Sequence, residues 1–231
     1  MKFKTTLLAA MIASGASNIH AAQLNVTITN LTQGIYFTPF VVAGHDDSAR
    51  MFATGQPASS ELQAVAEGGD ISGFVSLLNS VGAVVVENPA GGLLAPGSNA
   101  SFTIDTGDLN YLSMVSMLLP TNDGFAGLDS WSIPSEPGVY TVNLNAYDAG
   151  TEANDEIVNG GGAPGVPGIP AAPGGDAGTN GTGVTDIETN QTVHIHRGVL
   201  GDDDATAGKS DLDSRVHRWL NPVIRLQIEV L

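Results

Sequence analysis

The chain has no cysteine among its 231 residues. A disulfide framework, a zinc–thiolate site and a thiol nucleophile are therefore all excluded. Basic residues are scarce too, with eight Lys and Arg against 24 Asp and Glu, a formal charge of −16. Lys2 and Lys4 belong to an N-terminal leader without acids, so the remainder is nearer −18. Such a chain repels a phosphate backbone and an anionic lipid surface, which argues against nucleic-acid and membrane-surface binding. No run reaches the ~18 apolar residues of a membrane-spanning helix. Aromatics make up only 6% of the residues. Small cations are the natural partners of the surplus acids, although a solubilising surface accounts for many of them.

What is present favours strands. Gly, Thr, Asn, Val and Ser are plentiful, and 42% of residues are hydrophobic, enough to bury a core. Residues 1–22, MKFKTTLLAAMIASGASNIHAA, read as a signal peptide: two lysines, a short apolar stretch and small residues before cleavage. The expectation is an exported protein, periplasmic or secreted, without a transmembrane segment.

In the remainder, 23–231, hydrophobic alternation predicts strands at 23–30, 98–105, 139–147, 192–196 and 223–230. Residues 34–43 read as extended, with Pro39 placing them at an edge or bulge. Residues 83–87 are β-rich. Tyr111 to Leu119 is apolar almost throughout, as in a central strand covered on both faces. Helices are expected at 59–67, capped by Ser59 or Ser60 and ended by Gly68-Gly69, and at 70–81 after Asp70. Seven or eight strands with these inserts predict an all-β antiparallel sandwich carrying one or two short helices. Residues 159–183, rich in Gly and Pro, read as a flexible insertion; the three triplets at 162–170 are too few for a collagen helix.

Several enzyme signatures fail. The GKS at 208–210 lacks its upstream glycine, there is no H-E-x-x-H and no G-x-S-x-G, and 202–213 does not fit an EF-hand loop. Two acidic loops follow core-type strands, one at 120–127 and one at 148–156. Strand ends cluster in a sandwich, so Asp123, Asp148 and Glu152 could offer hard oxygens to one cation; ordinary acidic turns are the plainer alternative. His194 and His196 share a strand face, and with His45 they could ligate a transition metal in a metal-dependent hydrolase. That reading requires the three histidines to converge. No serine is singled out as a nucleophile for His45-Asp46-Asp47.

Four blocks in order resemble the spondin N-terminal domain family: 28–52, ITNLTQGIYFTPFVVAGHDDSARMF; 55–70, GQPASSELQAVAEGGD; 111–131, YLSMVSMLLPTNDGFAGLDSW; and 147–156, YDAGTEANDE, with its D-A-G-T core. With the closing VIRLQIEV the resemblance spans about 24–231, outside the Gly/Pro-rich insertion. Glu61 and Leu62 stand where the family often has a glycine. The resemblance implies a C2-like antiparallel β-sandwich and a Ca2+ ion held between loops at one end, with Asp123, Asp148 and Glu152 at the ligand positions. Glu152 departs from the aspartate of animal members by one methylene. Those animal proteins are matrix and adhesion molecules with further repeat domains absent here. The expected function is a non-enzymatic, calcium-binding module for binding or adhesion in the cell envelope or outside the cell, with an envelope or extracellular protein or a glycan as partner. A purely structural envelope or matrix component, indifferent to calcium, is the third reading.

Overall fold

The structure is a computed structural model that describes residues 22–231. The leader reading falls, Ala22 apart, outside the described residues. Two antiparallel sheets face each other. The first has four strands, β1 (Gln23–Asn30), β5 (Asn99–Asp105), β8 (Gly138–Leu144) and β11 (Ile224–Val230), in the order β5-β1-β11-β8. The second is built from β3 (Val41–His45), β4 (Val84–Glu87), β6 (Tyr111–Leu119), β7 (Gly124–Ser132), β9 (Ala146–Asp148) and β10 (His194–Ile195), in the order β10-β9-β7-β6-β3-β4. The two-residue β2 (Tyr36–Phe37) adds to β6. The all-β antiparallel sandwich expected from the alternation is the architecture observed.

Register explains the core. In β1 the apolar set Leu24, Val26 and Ile28 stands opposite Val230, Ile228 and Leu226 of β11. These residues meet Leu112, Met114 and Leu118 from β6 in the layer between the sheets. The alternate face of β6 gives Val115 to a second core with Leu62, Val65, Ala66, Phe74 and Leu78 of the two helices. A strand buried on both faces must be apolar at nearly every position, which is why 111–119 shows no alternation.

The helices are α1 (Ser60–Gly68) and α2 (Ser72–Ser80). Ser59 Oγ accepts the Leu62 N–H at 3.1 Å and so caps α1. Gly69 ends α1 in the left-handed region at φ 70°, donating to Val65 O at 2.8 Å. Asp70 Oδ1 accepts the Ser72 N–H at the start of α2.

Three strand expectations change. Pro39 splits 34–43, so that β2 and β3 are separate and β3 lies inside the sheet between β6 and β4. The single strand expected at 139–147 is two, β8 in one sheet and β9 in the other, because the chain changes sheets between Leu144 and Ala146. Residues 120–127 were expected as a loop, yet β7 begins at Gly124 and is the inner neighbour of β6. Its glycines hid it: at Gly127 a Cβ would stand 2.5 Å from the Phe52 ring, so close packing requires a residue with no strand propensity.

Beyond β9, residues 149–222 carry little regular structure, and buried carboxylates take over part of the main-chain hydrogen bonding. Glu156 accepts from Leu200 N (2.6 Å), Gly201 N (2.9 Å) and Ser210 Oγ (2.6 Å). Asp211 accepts from Val158 N and Gly181 N, both at 2.9 Å. The Gly/Pro-rich stretch 159–183 is attached this way. Gly165 N donates to Glu67 Oε2 at 2.6 Å and Gly168 N donates to Glu152, while Ile169 is buried with Val199 and Leu212.

Candidate metal centre

The β6–β7 turn sets the first acidic side chain. Thr121 Oγ1 donates to Leu118 O at 2.7 Å and accepts the Gly124 N–H at 3.0 Å, closing the turn so that Asp123 immediately precedes β7. Across the ladder Gly124 pairs with Asp148, the last residue of β9, and Ala149 N donates to Asp123 O at 3.2 Å. The two strand ends thus bring Asp123 and Asp148 side by side.

The D-A-G-T segment then folds back over Asp123. Asp148 Oδ1 accepts the Gly150 N–H at 2.9 Å, and Gly150 takes φ 69°. A Cβ there would lie 2.6 Å from Asn190 O and 2.7 Å from Thr192 N. Both the left-handed turn and the close approach require glycine. The turn aims Thr151 N (2.8 Å) and Glu152 N (3.2 Å) at Asp123 Oδ2.

Asp123 is fully buried, and its other oxygen, Oδ1, has no hydrogen-bond partner. Asp148 is 1% exposed; its Oδ2 accepts from Asn154 Nδ2 at 2.8 Å and lies 3.8 Å from His194 Nε2. Glu152 is 8% exposed; its Oε1 accepts from Asn122 Nδ2 at 2.9 Å and from Gly168 N, while Oε2 is unpartnered and buried.

Burial and the neighbouring Asp148 charge push the Asp123 carboxyl well above the ordinary carboxylate range, against the pull of the Thr151 and Glu152 N–H groups. Burial raises Asp148 as well, opposed by the Asn154 amide and His194. Burial raises Glu152, opposed by the Gly168 N–H and Asn122, with Glu67 and Asp155 adding repulsion. Three carboxylates that resist ionisation together, two of them with an orphaned buried oxygen, suit a hard cation. Among the described residues no three His, Asp or Glu side chains close on one point by themselves. A cation here would draw on the carboxylates of Asp123 and Asp148, with Glu152 beside them, and complete its shell with neutral oxygens and water.

The structure therefore brings Asp123 and Asp148 together. It turns Glu152 partly away, toward Asn122 and the 159–183 stretch. The residue that holds Glu152 in this position is Asn122, fully buried, which donates to Glu152 Oε1 (2.9 Å) and Asp155 Oδ1 (2.8 Å) and accepts the Glu156 N–H (3.1 Å). Asn154 and Asn122 did not stand out in the sequence because asparagine is common in turns; the signal available was their placement inside T-N-D and D-A-G-T-E-A-N.

The histidines do not converge. His45 pairs with Tyr111, and Tyr111 with Ser132, at one end of the sheet. His194 pairs with Asp148, and Asp148 with Gly124, at the other end. The length of β7 between Ser132 and Gly124 is about 26 Å at ~3.3 Å per residue, far beyond shared ligation. The His45 ring instead contacts Ser113 Oγ at 2.7 Å and Asp46 O at 2.6 Å, and Ser113 Oγ accepts the Ser130 N–H where β6 and β7 lose register. The His45 ring, on β3, thus packs on the irregularity between β6 and β7 through Ser113. His196 is buried against Trp219, with ring centroids 5.0 Å apart, and its Nδ1 accepts the Gly198 N–H. The hydrolase reading built on His45, His194 and His196 fails on this geometry.

Fold and loops together define an antiparallel β-sandwich with a carboxylate-lined end. A family model described as Spondin_N matches residues 27–157, which contain both loops and every strand from β2 to β9. The chain belongs to the spondin N-terminal domain family, a family of extracellular domains. No curated protein matches the chain. No helix of the described residues is long and apolar enough to cross a membrane.

Proposed function

We propose that the protein is an exported, calcium-binding β-sandwich module that acts by binding, in adhesion or recognition at the cell envelope or outside the cell, and not by catalysis. The observation that carries the metal is the fully buried, unpartnered Asp123 Oδ1 beside Asp148. A bound Ca2+ would supply positive charge there and accept lone pairs from the carboxylate oxygens of Asp123 and Asp148. The chain's own groups do the rest. Asp123 gathers the Thr151 and Glu152 amides, Asp148 gathers Gly150 and Asn154, and Asn122 joins Glu152 to Asp155. With its charge neutralised, this network holds two loops in a fixed shape that can present a recognition surface. The separation of His45 from His194 removes the hydrolase alternative built on these histidines.

Thermal unfolding in EDTA and in millimolar calcium tests the reading. A ligand that binds only the folded state stabilises it by RT ln(1 + [L]/Kd), about 2.7 kcal/mol at a hundredfold excess over Kd. The expected result is a calcium-dependent rise in Tm that magnesium reproduces poorly. Identical curves in EDTA and calcium, with no metal retained by the purified protein, would overturn it.

A further inference from the structure

A second cleft, sharing no residue with Asp123, Asp148 or Glu152, opens where the chain crosses from β8 to β9. Its volume is ≈ 490 Å³, inside the range of about 300–1,000 Å³ typical of small-ligand sites. On one wall, Asn143 from the end of β8, Asn145 at the crossing and Tyr147 from β9 line the same cleft. Asn143 is exposed, and Asn145 and Tyr147 are half-buried. The facing wall carries Arg50, Thr54 and Asp129.

That wall is held before any ligand arrives. Asp129 Oδ2 accepts from Arg50 Nε at 2.9 Å and Nη2 at 2.7 Å, and its Oδ1 accepts the Met51 N–H at 2.9 Å. Both Arg50 bonds go to the one oxygen, Oδ2, which leaves the other guanidinium N–H groups of Arg50 free on a side chain 64% exposed. The base is aromatic. The Tyr147 ring lies 5.0 Å from Phe52 and 5.5 Å from Phe125, centroid to centroid, which fixes its orientation.

These groups define the ligand. Each carboxamide offers a donor and an acceptor side by side, the pattern that adjacent hydroxyls match. The tyrosine provides an apolar face with a hydroxyl at its tip, suited to the C–H face of a ring that carries hydroxyls on its edge. Arg50 and Asp129 cancel, so the cleft is locally neutral. A polyanion entering it meets the field of a chain at −16, and a cation meets a carboxylate already satisfied. Strand addition at Tyr147 is blocked, because β9 is already paired on both sides by β7 and β10. We infer that this cleft binds a neutral saccharide unit of a glycan. The inference rests on the reading of the protein as a binder and does not require its metal.

The test is an NMR titration of the 15N-labelled protein with cellobiose, maltose, lactose and N,N′-diacetylchitobiose, each to about 20 mM, which saturates a millimolar site. It is run once in EDTA and once in calcium. At least one sugar is expected to shift the amides of Thr54, Asn143, Asn145 and Tyr147 saturably in both conditions. The double variant Asn143→Ala/Asn145→Ala, in which only a half-buried and an exposed amide are trimmed, is expected to weaken that binding about tenfold or more. Tyr147→Phe, which keeps the ring, is expected to weaken it less. The inference is overturned if no sugar shifts these amides, if the shifts map to another surface, or if the double variant binds as well as the parent. Because the calcium reading is judged on calcium binding and its effect on Tm, and the sugar shifts are read in EDTA as well, either result can fail without the other.

Discussion

Asp148 sits one rung across the sheet from Gly124, and this places its carboxyl beside that of Asp123 with a single oxygen, Asp123 Oδ1, left without a partner. Two buried like charges on adjacent strand ends repel, and the repulsion is relieved by a proton or a cation. Removing one charge should therefore mimic part of what the cation does. In EDTA at neutral pH, Asp123→Asn is expected to unfold at a higher temperature than the parent, by a few degrees, since ~1 kcal/mol shifts Tm by about 2–4 °C in a chain of this size. The same variant should gain little from calcium. A lower Tm in EDTA, with the calcium increment intact, would contradict the pairing described here.

Asn122 is expected to matter out of proportion to its chemistry. Its carboxamide joins Glu152, Asp155 and the Glu156 N–H, and all but Asp155 of these groups are buried. Asn122→Ala should cost about 2–4 kcal/mol, since hydrogen bonds to charged groups are worth roughly 1.5–3 kcal/mol each and the partners cannot reach water. Asn122→Asp, which adds a charge among carboxylates, should cost more in EDTA than in calcium. Urea unfolding of both variants, with and without calcium, checks the two statements.

Gly150→Ala should disturb the same site through the backbone. A left-handed residue with a Cβ costs about 1–2 kcal/mol, and here the Cβ also meets Asn190 O. The variant is expected to be less stable and to need a higher calcium concentration for half its Tm increment. Unchanged calcium dependence would mean that the turn does not position the Asp123 partners.

Glu156 provides the contrast. It is 2% exposed and anchors residues 200, 201 and 210 at a distance in sequence from the candidate ligands. Glu156→Gln replaces charge-assisted bonds and presents an N–H group to N–H donors, so a loss of about 2–3 kcal/mol is expected. Its calcium increment should stay that of the parent. A lost increment would show that the irregular 149–222 region and the metal loops form one cooperative unit.

The pH dependence has a specific source in His196. Burial lowers its pKa from 6.5 to about 3, so between these values the unfolded chain binds a proton that the folded chain does not. Stability is therefore full above about pH 6.5 and is lost as the pH falls toward 3, at about 1.4 kcal/mol per unit. His196→Asn keeps an acceptor for the Gly198 N–H but cannot take up a proton. Tm measured from pH 8 to pH 4.5 should fall more steeply for the parent than for the variant. Parallel curves would contradict the assignment.

The sandwich was legible because alternation survives wherever one face is wet. β1, β5 and β11 show it, with Leu24, Val26 and Ile28 facing in and their neighbours facing out. β6 was legible for the opposite reason, as a continuous apolar run. β7 was not, because Gly124 and Gly127 are there for closeness to Thr121 and Phe52 and carry no periodic signal. The acidic pair of the site was legible as the ends of two core strands. The two partners of the Glu152 carboxylate, Asn122 and the Gly168 N–H, were not legible, because an asparagine in a turn and a glycine in a Gly/Pro-rich stretch are ordinary composition. The far end of the sheet that holds His45 could be known only from the register of β3, β6 and β7.

The most direct measurement is isothermal titration of calcium into the EDTA-stripped protein, repeated on Asp123→Asn and Asp148→Asn. The account predicts a saturable isotherm with one ion per chain, abolished in both variants while their far-UV spectra stay those of a β-sandwich. An isotherm without saturable heat in the parent, confirmed by the absence of bound metal after dialysis against calcium, or one that both variants reproduce, would contradict it.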